Sequence, residues 1–128
     1  MKLDRLDHLV LTVTDINATV DFYVDVLGMA FETFGDNRVA LKFGNQKINL
    51  HQSGNEFEPK AERVQPGSAD LCFVATTELN EVVSHLEARG VEIIDGPVKR
   101  TGATGSITSI YLNDLDGNLL EISNYCFE

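Results

Sequence analysis

"HLVLTVTDINATVDFYVDVLG" (residues 8–28) lies over "DLCFVATTELNEVVSHLEARG" (residues 70–90) at a shift of 62 with no gap, and this overlay decides the architecture. Each piece alternates apolar and polar residues, switches to helical spacing, and stops at a glycine. In the first piece Thr14-Asp15 ends the strand as an N-cap. Ile16, Val20, Tyr23, Val24 and Leu27 then recur at helical spacing, and Gly28 closes the helix. In the second, Thr76-Thr77 precede Leu79, Val82, Val83 and Leu86, and Gly90 closes the helix. Few letters are identical, so the shared pattern is what indicates an internal duplication.

Strand-like segments follow each helix: 29–35, 37–44 and 46–52 in the first half, then 91–96, 106–114 and 118–125 in the second. The residues therefore predict an α+β fold of two tandem βαβββ modules, whose curled sheets pair around a cleft. Module 1 spans about 5–53, a polar linker and possible lid about 54–67, and module 2 about 68–126. Across the last strands the shift becomes 70, which sets His51 on Glu121 and places the second half's eight extra residues in the Gly-rich 96–106.

The chain has 128 residues, 43% of them hydrophobic, enough for one domain with its own core. No apolar run reaches the roughly 18 residues of a membrane span, and the charged N-terminus does not read as a signal peptide, so a cytoplasmic protein is expected. Cys72 and Cys126 show no CxxC spacing and sit in apolar runs, which predicts buried free thiols. The net charge of −10 opposes nucleic acid and anionic membranes. Acidic residues can instead hold a divalent cation.

The repeat makes that possibility concrete. Leu9, Leu11 and Val13 form the helix-facing set of the first strand, which turns His8, Val10 and Thr12 to the cleft; by the same alternation Asp70 and Cys72 face it from the second module. With His8 on Asp70 and His51 on Glu121, four metal-type ligands fall at related cleft positions. Two imidazoles and a carboxylate suit Zn, Ni, Co, Mn or Fe and leave coordination positions open. His8, His51 and Glu121 are the expected ligands, with Asp70 the fourth candidate. Thr12, Arg100 and Tyr111 are candidate pocket residues. Tyr23 and Phe22 read as core, and His85 as an exposed helix residue.

At this point "DHLVLTVTDINATVDFYVDVLGM" and "LNDLDGNLLEIS" resemble the opening and closing modules of the vicinal oxygen chelate superfamily, the glyoxalase/bleomycin-resistance/dioxygenase fold. Leu115 stands where the closing signature usually has proline. The stretch from Gly96 to Tyr125 is most similar to small members grouped with glyoxalase domain-containing protein 5. The resemblance implies a metal-dependent lyase or isomerase of the glyoxalase type, acting on a small vicinal-oxygen substrate through metal-stabilised enediolate chemistry with Glu121 as base. Non-catalytic binding of a drug or metabolite, thiol transfer and dioxygenation occur in the same superfamily and stay open. Catechol-cleaving and thiol-transferring members carry a second histidine where this chain has Asp70. A homodimer is expected, because short curled sheets leave edges and apolar surface for a two-fold partner.

Overall fold

The computed structural model describes residues 1–126. The chain forms two compact units that divide between Gly67 and Ser68. In the first unit β1 (His8–Val13), α1 (Ile16–Asp25), β2 (Ala30–Phe34), β3 (Arg38–Phe43) and β4 (Gln46–Gln52) build a sheet of order β1-β4-β3-β2. In the second, β5 (Asp70–Val74), α2 (Leu79–Ala88), β6 (Asp95–Thr101), β7 (Ser106–Asn113) and β8 (Leu119–Tyr125) give β5-β8-β7-β6. The tandem βαβββ plan is the one the repeat predicts. In each unit the first strand runs parallel to the last, and the remaining pairs are antiparallel.

Each helix covers one face of its own sheet. Leu11, Val13, Tyr23, Leu41, Ile48 and Leu50 are among the buried residues of the first unit; Val82, Leu86, Ile110, Leu112, Leu120 and Ile122 are among those of the second. Burying each such side chain stabilises the fold by roughly 1.5–3 kcal/mol. Asp15 caps α1 by accepting from the Ala18 amide at 3.1 Å. Both helices end before a glycine in the left-handed region, Gly28 at φ 72 and Gly90 at φ 70, a conformation that costs a side chain.

Three local expectations are corrected. The strand expected over 91–96 begins at Asp95, and most of the Gly-rich 96–106 is not a loop but the strand β6. Gly96 makes this possible: at φ 96 it sits in a register shift between Asp95 and Val98, where an added Cβ would fall 2.3 Å from the Ser109 carbonyl oxygen. About half of the second half's extra residues thus lengthen the β6–β7 hairpin, whose strands have 7 and 8 residues against 5 and 6 in β2 and β3. Cys72 is a free thiol but exposed, because it lies on the sheet face that α2 does not cover; Cys126 is free and half-buried. His85 is half-buried beside the Arg89 guanidinium rather than fully exposed.

Candidate functional site

In the first unit, strand alternation and the β1–β4 register turn His8, Val10, Thr12, Lys47, Asn49 and His51 to the sheet face away from α1. Arg38 joins them from β3. His51 is only 6% exposed, yet its Nδ1 has no hydrogen-bond partner, and neither has the buried Oδ1 of Asn49. Leaving a buried polar atom unpaired costs about 1–3 kcal/mol, so two on one face mark a place built to meet another molecule. Burial first, and the nearby Arg38 charge second, hold the His51 pKa below its usual value, which keeps the ring neutral near pH 7.

The linker folds onto this face. Phe57 packs edge-on against His51, with ring centroids 5.5 Å apart, and lies 4.3 Å from the Arg38 guanidinium carbon. A cavity of about 180 Å³ is lined by His8, Arg38, Asn49 and His51 among others. A second cavity of about 380 Å³ shares Val10, His51 and Pro59 with it and takes in Thr12. His8 is half exposed at its side chain and bonds Asp7 Oδ1 through Nδ1 at 2.8 Å. That bond orients the ring and leaves Nε2 as the outward nitrogen.

In the second unit Glu121 projects from the uncovered face of β8. Its Oε2 accepts from the Ser109 hydroxyl at 2.5 Å and from Ser123 at 3.4 Å, and the two serine hydroxyls are 2.6 Å apart. Cys72 Sγ lies 3.3 Å from Ser123 Oγ. Tyr111 stands opposite Glu121 across the β7–β8 ladder, and Arg100 Nε donates to its hydroxyl at 3.0 Å. Arg100 also approaches Asp95 at 3.6 Å. Asp70 is exposed on the same face of β5 as Cys72. Glu121, Tyr111 and Arg100 thus share a face, with the carboxylate held in place by two hydroxyls.

The sheet register corrects one pairing. Gln52 Oε1 accepts from the Ile16 amide at the start of α1, and Asn124 Oδ1 accepts from the Leu79 amide at the start of α2. Each amide nitrogen then donates back to carbonyls after the first strand of its unit. Gln52 and Asn124 are therefore repeat-mates, at a shift of 72 rather than 70. On that shift Glu121 corresponds to Asn49, and His51 to Ser123. Asn49 is the position missed in the sequence; its signal was a polar residue between two buried ones, Ile48-Asn49-Leu50 against Leu120-Glu121-Ile122. Among the described residues no three His, Cys, Asp or Glu side chains gather as a metal-holding group.

A tandem βαβββ scaffold with polar groups on the uncovered sheet faces defines a class, and the comparisons agree with it. Residues 5–122 match the Glyoxalase/Bleomycin resistance protein/Dioxygenase superfamily, and the chain belongs to that superfamily. Virulence protein STM3117 of Salmonella typhimurium is 62% identical over 125 residues, covering 98% of this chain and 87% of the relative. Its crystal structure superposes with a TM-score of 0.97 at 61% identity, over 98% of this chain and all of that one. Glyoxalase domain-containing protein RDO1 of Mycosarcoma maydis is 56% identical over 125 residues, 98% of this chain and 70% of the relative. An integron cassette protein from Vibrio cholerae matches at TM-score 0.97 and 61% identity, over 98% of each chain.

Proposed function

We propose that the protein is a metal-dependent enzyme of the glyoxalase type, a lyase or isomerase acting on a small vicinal-oxygen substrate. The observation that carries this reading is the pair of buried, unpartnered atoms, Asn49 Oδ1 and His51 Nδ1, on the cavity that His8 also lines. The donor chemistry fits a divalent cation. His8 has the carboxylate-bonded Nδ1 typical of metal-ligating histidines, His51 is kept neutral as a ligand must be, and Glu121 is a pre-oriented oxygen donor. His8 and His51 are the proposed ligands from the first unit, and Glu121, with Asp70 as the fourth, those from the second. When bound, the cation would supply Lewis acidity toward two neighbouring substrate oxygens.

The chain's own groups do the rest. Glu121 serves as base toward the carbon beside those oxygens. Both of its serine bonds fall on Oε2, so Oε1 is the atom that takes the proton. Tyr111 and Arg100, joined by their hydrogen bond on the same face of the second unit, orient the substrate beside Glu121. We expect a homodimer, because each sheet ends in two edge strands. No described helix is long and apolar enough to cross a membrane.

Elemental analysis of protein purified without chelator tests the reading. Close to one equivalent of a divalent transition metal per chain is expected, lowered by His8→Ala and His51→Ala. A parent chain that neither retains Zn²⁺, Ni²⁺ or Mn²⁺ nor gains thermal stability from any of them would overturn it. Light scattering that reports a monomer at micromolar concentration would remove the dimer.

A further inference from the structure

We infer that Arg38 is the anion anchor of the site, so that the substrate is a 2-hydroxy or 2-oxo carboxylic acid with a short apolar tail; the two vicinal oxygens in this statement rest on the function proposed above. Arg38 is an anomaly of charge. In a chain with 20 acidic and 10 basic residues, no carboxylate among the described residues pairs with it. It is held instead by aromatic faces, with its guanidinium carbon 4.3 Å from the Phe57 centroid and 5.9 Å from that of Phe34. Stacking of this kind fixes the plane of the fork and leaves its N–H edge unspent. Lys47, on the same sheet face, lies 3.8 Å over the Phe34 ring. Two stacked cations make this face a local exception to the chain's negative field.

The neighbours of Arg38 specify the rest of the ligand. On the same cavity, Asn49 Oδ1 is an acceptor without a donor and His51 Nδ1 is a nitrogen without a partner. With His51 given to the cation proposed above, a hydroxyl beside a carboxylate would donate to Asn49 Oδ1, while the carboxylate takes the guanidinium fork. Glu58 is the acidic residue on the cavity rim; its side chain is 70% exposed and ion-paired with Lys60, so it does not cancel the anchor. The adjoining cavity of about 380 Å³ offers Val10, Pro59, Ala61 and Val64, an apolar wall for a short hydrocarbon tail.

Phenyllactate and its neutral amide, phenyllactamide, are suitable probes, titrated by calorimetry into the parent and into Arg38→Met and Arg38→Lys, with Zn²⁺ titrated separately. The acid should bind the parent at least about tenfold more tightly than the amide, and both variants should lose about tenfold for the acid, since lysine keeps the charge but not the fork. Zn²⁺ binding should be the same in all three. Equal binding of acid and amide, no binding of either, or an Arg38→Met protein that keeps the parent's preference would overturn the inference. The acid-over-amide comparison on the parent needs no folded variant. If Zn²⁺ fails to bind while that preference persists, the metal reading falls and the anchor stands. If Zn²⁺ binds and the preference is absent, the anchor falls alone.

Discussion

The sheets β1-β4-β3-β2 and β5-β8-β7-β6 match strand for strand, and even the amide side chains that tie the last strand to the helix start, Gln52 and Asn124, are equivalent. Their uncovered faces are nearly opposite in character. The first carries nitrogen donors, stacked cations and two unpaired polar atoms under a folded linker. The second carries a carboxylate braced by serines, beside an exposed thiol. Packing against the helix holds one face constant, because a change there costs core energy. No such restraint acts on the other face, so duplication leaves it free to specialise.

The largest test of this contrast is on the second face. Glu121→Gln keeps the shape of the side chain but removes its charge, and should lower turnover roughly 10²-fold while weakening metal binding. A variant that takes up metal and gains thermal stability as the parent does would make Glu121 a structural residue. Next comes the hairpin that only the second unit extends. Gly96→Ala would place a Cβ 2.3 Å from the Ser109 carbonyl oxygen and 2.9 Å from Ile110 Cα, at a backbone φ of 96. A loss of about 3 kcal/mol in urea unfolding is expected, against about 1 kcal/mol for Gly44→Ala, where strain acts without a clash. Equal losses would show that the register shift is not tight.

The helix ties should respond alike if the units are true repeats. Asn124→Ala and Gln52→Ala each remove a cap and its return bonds, and each should cost about 1–2 kcal/mol. A difference beyond about 1 kcal/mol would break the equivalence on which the 72-residue register rests. The smallest effect is in pH. Because the His51 pKa is lowered by burial and then by Arg38, the unfolded chain takes up a proton that the folded unit refuses. Stability of the metal-free protein should therefore fall as pH drops below about 6.5, level off once folded His51 titrates, and fall less in Arg38→Met. Thermal scans between pH 7.5 and roughly pH 5 would read this slope; a slope unchanged by Arg38→Met would remove Arg38 as a cause.

What the sequence determined by itself is everything that repeats locally. Two strand-helix-glycine signals, the Asp15 cap, the core-facing residues Leu11, Val13, Val82 and Leu86, and the uncovered direction of His8, Cys72 and Glu121 all follow from periods of 2 and 3.6 and from glycine's access to positive φ. Tertiary structure decided what depends on the partner across a ladder. The ladders, not the letters, made Asn49 rather than His51 the mate of Glu121, turned "GPVKRT" into a strand, and set Phe57 over His51 and Arg38. Register is a choice among pairings that differ by whole residues while the alternation stays the same. A shift of two residues keeps every side chain on its face, so no pattern within a strand reveals it; only the hydrogen bonds to the neighbouring strand and to the helix start select one.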